Sequence, residues 1–344
     1  MTLQGNVNDK ETYSSICMGG IGFTFRLVNP TSTGTMTTLP NLRGITVEGI
    51  LRRNGHDHQI FKNNLQDLLV ESAFFKGTLS SVLNGTYMIQ RGNGTAILTG
   101  KIDFHGVIDL NGGDEFLMTV TMQNVYTAAN FTVNSCQLDV NPIEQEGHEV
   151  MIPMIWVDTI TAGKSNYNPP LGDDVYSALF INYDQGLGTY GDFTDANTVV
   201  QALTVRTDDV SQTLTPDRMY SRMVNCFETK TEAQLRGQCY HIGHYKPNGL
   251  PGHHHHELMH AVKLDFTLNA TLVTSGNNIL VVRRYKHDSH THMKAHTKAG
   301  NKQHKHNQKM HKHHGEMHMG KAHIAAHNFG ANRAGAASSR GLRS

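Results

Sequence analysis

Gly44-Ile-Thr-Val-Glu-Gly-Ile-Leu51 decides the fold, because its plan returns 153 residues on, around Thr198-Val-Val-Gln-Ala-Leu-Thr-Val205. Both stretches mix β-branched and other apolar residues with polar ones, the composition of a short strand. Set over each other at that offset, the two halves align without a gap. Ile50 meets Leu203, Gln59 meets Gln212, Phe61 meets Leu214 and Phe74 meets Phe227. In the first half a helix follows: Asn63-Asn64 can cap Leu65-Gln-Asp-Leu-Leu-Val-Glu-Ser-Ala-Phe-Phe75, whose Leu65, Leu68, Leu69 and Phe75 fall near a 3.6-residue period, and Gly77 stops it. In the second half Thr215-Pro216-Asp217 reads as a helix start with proline at the first helical position, and Met219, Met223 and Phe227 follow along one side.

Further out the pattern stays β-rich. Thr95–Leu98, Lys101–Leu110 and Phe116–Gln123 read as strands, and Asn111-Gly112-Gly113-Asp114 predicts a hairpin turn. Val262, Leu264, Phe266, Leu268 and Leu272 alternate with polar residues as a half-buried strand does. Leu110-Asn-Gly-Gly-Asp-Glu-Phe-Leu-Met118 parallels Val273-Thr-Ser-Gly-Asn-Asn-Ile-Leu-Val281 at an offset of 163. Two offsets ten residues apart predict one duplicated plan with a longer loop in the second copy. The linker is expected near Asn141-Pro-Ile-Glu-Gln-Glu-Gly147, and the second copy then opens with Val150-Met-Ile-Pro-Met-Ile-Trp-Val157. The expected organisation is an N-terminal arm over 1–20, a first sandwich over 21–142, a second over 143–285 and a tail over 286–344.

Composition agrees with sheets and turns. Hydrophobic residues make up 38% and charged residues 17% of the 344, with 33 glycines, which provides a core and a lightly charged surface. No apolar run approaches the roughly 20 residues that a membrane span needs, and the N-terminus lacks the profile of a secretion leader. Cys17, Cys136, Cys226 and Cys239 are scattered, so free thiols are expected rather than a disulfide framework. The net charge of +1 hides a division. From Arg283 onward there are 13 Lys/Arg and 12 His against Asp288 and Glu316 alone, leaving 17 Lys/Arg against 27 Asp/Glu before that point. The body is therefore acidic and the tail basic, and the tail's low complexity predicts disorder or folding on contact.

Two tandem sandwiches, each with a helix inserted after an early strand, resemble the double jelly-roll major capsid proteins of tailless icosahedral phages with an internal membrane, the lineage that includes adenovirus hexon. Leu39-Pro-Asn-Leu-Arg-Gly-Ile45 leading into the first strand and Leu171-Gly-Asp-Asp-Val-Tyr-Ser-Ala-Leu-Phe-Ile-Asn182 in the second copy carry the likeness, which covers roughly Ile21 to Tyr285. The resemblance implies an all-β protein of two eight-stranded jelly rolls, each with a short inserted helix, ending in a disordered basic tail. It also implies a homotrimer of pseudo-hexagonal outline that tiles an icosahedral virion shell beside neighbouring capsomers and minor capsid proteins. The tail departs from the pattern, so its role is read from its own charge.

Other chemistry is weaker. His256-Glu257-Leu258-Met259-His260 matches a zinc metalloprotease signature, which requires a helix to place both imidazoles on one metal. Pro251-Gly252 precedes it, and the strand alternation running back through His260 predicts an extended segment, with the two histidines about 13 Å apart. His241, His244, His253 and His256 are candidates for a structural metal, against a plain His-rich loop. Ala162-Gly163-Lys164-Ser165 lacks the upstream glycine of a phosphate-binding loop, and Asp173-Asp174 and Asp208-Asp209 suit turns. No catalytic residue and no cofactor are expected. In the tail, Lys294, Lys298, Lys302, Lys305, Lys309, Lys312 and Lys321 would attract polyanions, either internal-membrane lipid or genome phosphates, and the histidines would strengthen that attraction in mild acid. The alternative functional class is a receptor-binding virion spike built from β-sandwiches.

Overall fold

The computed structural model describes residues 1–286, apart from 31–35, 37–38, 76–86, 147–151, 170, 184–198, 208–210, 220–238, 244–259 and 275. The first sandwich holds β1 (Thr2–Leu3), β2 (Val7–Ser14), β3 (Cys17–Val28), β4 (Ile45–Arg53), β5 (His56–Asn64), helix α1 (Leu65–Phe75), β6 (Tyr87–Gly92), β7 (Thr95–Asp109), β8 (Glu115–Met122) and β9 (Gln137–Glu144). The second holds β10 (Ile152–Thr159), β11 (Asn166–Tyr167), β12 (Val175–Asn182), β13 (Val200–Arg206), β14 (Ser211–Leu214), β15 (Cys239–Gly243), β16 (Lys263–Leu268) and β17 (Asn278–Lys286).

The sheets show the duplication directly. The first sandwich pairs its strands in the orders β1-β9-β3-β7-β6 and β2-β8-β4-β5; the second repeats them as β10-β17-β12-β15 and β11-β16-β13-β14. Strand for strand, the two topologies agree, with β6 the one edge strand that has no counterpart among the described residues. All pairings are antiparallel, and each sandwich closes its apolar faces on one another as jelly rolls do. Period-two alternation accounts for the burial: Phe116, Met118, Val120 and Met122 of β8 point inward while Glu115, Leu117, Thr119 and Thr121 lie half-exposed.

The inner register differs between the copies in an informative way. Gly49 pairs with Phe61 and Met118, and Leu203 pairs with Leu214 and Phe266, so Gly49 and Leu203 are counterparts. By the same pairings Phe116 corresponds to Leu264. A Cβ on Gly49 would lie 2.6 Å from Phe116 Cζ and 2.7 Å from Phe61 Cζ. One core therefore combines a glycine with two phenyl rings where the other uses three leucines, the rings filling the space that a side chain at position 49 would need.

Several expectations are corrected. Residues 1–20 are not an arm, because β1, β2 and the start of β3 pair into both sheets of the first sandwich. The expected linker begins too early, since Asn141–Glu144 belong to β9 and pair with β3. Asn111–Asp114 is a turn, with Gly112 and Gly113 at φ +110° and +95°, but β7 and β8 lie in different sheets, so it is a crossover and not a hairpin. The match at an offset of 163 equates β8 with β17, whereas pairing makes β16 the counterpart of β8 and β17 the counterpart of β9. The longer loop inferred from it is thereby withdrawn. Within the match at 153, Ile50 faces outward and Leu203 inward, because a bulge between Val200 and Ala202 adds one residue to β13 and flips the faces beyond it. Arg283 and Arg284 belong to β17, so they are not part of the tail.

Candidate functional site

The joint between the two sandwiches is the site that this fold assembles. It begins with α1. Asn64 caps the helix, accepting the Asp67 amide at 3.1 Å through Oδ1 and donating through Nδ2 to Asp67 Oδ2 at 2.6 Å, a reciprocal arrangement that satisfies orphan groups at the helix start. The helix is not simply amphipathic. Leu65, Leu68, Leu69 and Val70 are buried, but so are Asp67, Glu71 and Ser72. Burying those polar groups costs free energy unless each is paired. Their partners come from the other sandwich and from β7.

Arg283, fully buried on β17, makes a bidentate pair with Glu71, Nε to Oε1 at 2.8 Å and Nη2 to Oε2 at 2.7 Å. It also donates to the carbonyls of Phe104 at 3.0 Å and Asp103 at 2.8 Å. Those carbonyls are available because residues 104–107 of β7 bulge out of the sheet opposite Gly19, where the register jumps from Met18–Ile108 to Gly20–Asp103. His105 in that bulge takes φ +47°, and its own carbonyl accepts from Tyr285 Oη at 3.2 Å. Tyr285 lies two residues beyond Arg283, on the same face of β17, and Tyr176 of β12 stacks on it edge to face at 5.3 Å. Burial alone would lower the guanidinium pKa of Arg283, but the Glu71 carboxylate, together with Tyr285 and Asp103, more than offsets it and raises the value. Charge at this joint is thus paired rather than neutralised.

A second contact lies one helical turn away. Tyr183 donates to Asp67 Oδ1 at 2.9 Å, and the Arg43 guanidinium sits 4.4 Å over the Tyr183 ring while donating to Asn277 Oδ1 at 3.2 Å. Burial pushes the Asp67 carboxyl above its ordinary range, with the Tyr183 and Asn64 hydrogen bonds opposing. β12, beside β17 at this joint, is buried at all eight positions and lines the second core with Phe180 against Phe266.

Of the histidines picked out for metal chemistry, the structure describes His241 and His260. His241 lies in β15, paired with Leu179; His244, His253 and His256 lie outside the described residues. His260 is exposed, 3.8 Å from Asp174, and β16 begins only at Lys263, with Ala261 at φ +49°, so the strand alternation does not run back through it. Among the described residues no group of three or more His, Cys, Asp or Glu could hold a metal ion. Lys294, Lys298, Lys302, Lys305, Lys309, Lys312 and Lys321 also lie outside the described residues. Cys136 is buried, its thiol pKa pushed up by burial, and Cys17 is half-buried; neither forms a disulfide. Asp173 accepts the Ala261 amide at 2.7 Å in a turn, as its context suggested. No helix among the described residues is long and apolar enough to cross a membrane.

No family model and no curated protein matches the sequence. Among solved structures, the chain is similar to the STIV MCP, a major capsid protein, over 83% of this chain and 95% of that one, at 11% identity and a TM-score of 0.50. The chain is a double jelly roll. It is also similar to the major capsid protein P2 from bacteriophage PM2 (10% identity, 84% and 98% covered, TM-score 0.45) and to a chain in the atomic structure of Sulfolobus Turreted Icosahedral Virus (10%, 83% and 90%, 0.44). At these identities the likeness is one of fold, and the last two scores add no weight to it. The double jelly roll here is built from the expected two copies, and its joint supplies the residues that inspection of the sequence passed over: Arg43, Glu71, Tyr183, Arg283 and Tyr285. One signal was available. Asp67 and Glu71 stand one turn apart on a helix otherwise rich in Leu and Phe, which asks for buried cations or hydroxyls elsewhere in the chain.

Proposed function

We propose that this chain is the major capsid protein of a virion, non-enzymatic, and that three copies assemble into a capsomer of pseudo-hexagonal outline. The observation that carries this reading is the joint. Two sandwiches of the same topology are held side by side by a buried, bidentate ion pair and its carbonyl partners, so each chain presents two similar bodies at one fixed angle. Three such chains supply six similar flanks, and a contact that repeats by rotation closes into a ring without unsatisfied edges. Hexagonal outlines tile a shell, with neighbouring capsomers and minor proteins as partners. The similarity to the STIV MCP across nearly the whole of that chain supports the same reading.

The basic segment beyond His287, with ten Lys/Arg against two acidic residues, is assigned to the inner face of the shell, where lipid head groups or genome phosphates would meet it. The test of the capsid reading is the mass of the purified full chain in metal-free buffer. A particle of three chain masses with a six-lobed outline by electron microscopy is expected. A monomer at micromolar concentration sinks the proposal.

A further inference from the structure

The joint inside one chain specifies the contact between chains. Its first half is the front of jelly roll one, namely edge strand β5, helix α1 and the bulged part of β7; its second half is the back of jelly roll two, namely edge strand β10 with β17 and β12. In a ring of six similar bodies each body meets the next through the same two kinds of surface. One front and one back remain unused. The unused front is in jelly roll two: β14, the counterpart of β5, and the helix that starts at Pro216. The unused back is in jelly roll one: the outer face of β1, β9 and β3, the counterparts of β10, β17 and β12.

Burial agrees with this division. The back of jelly roll two is covered, with β12 buried throughout and β17 buried at seven of nine positions. The back of jelly roll one has the same strand order but is open. Arg26 and Asn141 are exposed, Thr24 and Asp139 half-exposed, and the Arg26 side chain, 63% exposed, reaches Asp139 at 3.3 Å. On the unused front, Ser211, Gln212 and Thr213 of edge strand β14 are all exposed.

We infer that the outer face of β9 and β3 in one copy docks β14 and the Pro216 helix start of the next copy. This rests on the trimeric capsid reading and names the surface that makes the trimer. Both surfaces are rich in hydroxyl, amide and charged groups and poor in large apolar ones. The contact between chains is therefore polar and hydrated, unlike the dry ion pair within the chain, and trimers should form reversibly from folded monomers.

The test uses the full chain with two pairs of substitutions. Thr24→Arg with Asn141→Arg places bulk and charge on the inferred face; Thr46→Arg with Thr119→Arg places the same load on the outer face of the β2-β8-β4-β5 sheet. Light scattering across a dilution series reads the oligomer, and circular dichroism melts confirm the fold. The first pair is expected to weaken trimerisation at least tenfold while the second leaves it unchanged. Should the first pair fail to fold, Asn141→Arg alone, at an exposed position, gives the same reading. A trimer indifferent to the first pair, or broken only by the second, overturns this surface while leaving the capsid reading intact. A wild-type chain that never trimerises removes both. If β9 amides in the unassembled chain lose protection from hydrogen exchange when 288–344 are removed, the chain's own tail occupies the face and the inference is wrong.

Discussion

Arg283 is the residue on which the two jelly rolls agree. Its guanidinium is fully buried, and Glu71 with the Asp103 and Phe104 carbonyls takes up its donors. A buried pair of this kind contributes little net stability against an apolar substitute, yet losing one partner strands a charge. Glu71→Ala is therefore expected to destabilise the fold by about 3–5 kcal/mol, and Glu71→Leu with Arg283→Met to recover most of the loss, both read from urea melts. A double variant as unstable as the single one would show that the pair does more than satisfy itself. Asp103 adds a pH dependence. Burial pushes its carboxyl up, but the charges of His105 and Lys101 and the hydrogen bonds from both bring it down to about 2. A depressed carboxylate contributes stability above the unfolded value near 3.9 that is lost as the pH falls toward the folded value. Between pH 4 and about 2 the wild type should lose on the order of 2 kcal/mol more than Asp103→Asn. Parallel losses in the two proteins would refute this assignment. Asp67 runs the other way: its raised carboxyl stabilises the fold most at low pH, and that contribution fades as the pH rises through its folded value.

At the scale of elements, the two copies solve one packing problem with different volumes. Gly49, Phe61 and Phe116 occupy the places of Leu203, Leu214 and Leu264. Gly49→Leu alone must push two phenyl rings aside and should cost about 3 kcal/mol or more, near the top of the usual overpacking range. Adding Phe61→Leu and Phe116→Leu copies the second core into the first and is expected to restore more than half of the loss, measured as the shift in denaturant midpoint. A triple variant no more stable than the single one would mean that the cores are not interchangeable. Helix α1 offers a smaller check. Asn64→Ala removes the cap and should cost about 1 kcal/mol, since Asp67 also loses its Nδ2 donor.

For the whole molecule, the proposed capsid role gives the body and the segment after His287 separate tests. Truncation after His287 keeps β17 intact through Lys286, which pairs with Ile152, so trimers should remain folded. Their retention of anionic vesicles or nucleic acid should fall and should lose its steep salt dependence. In the full chain the same retention is expected to strengthen between pH 7 and 5.5, as histidines with an ordinary pKa near 6.5 gain charge. Equal retention with and without the tail, at 50 and 300 mM salt, would refute the electrostatic role.

The sequence by itself determined the all-β class, the existence of two copies, the helix from Leu65 to Phe75 and its cap, and the Pro216 start. These follow from short-range rules: alternation, capping and proline geometry act within a few residues and can be read there. Only the tertiary structure decided which strands are counterparts. A one-residue bulge in β13 changes which face a residue takes, and the crossover at Asn111–Asp114 looks locally like a hairpin because turn chemistry does not record which sheet the chain enters next. The joint was legible least of all. Glu71 and Arg283 are 212 residues apart, and nothing local to either says that burial will strip both of water and leave each as the other's counter-charge.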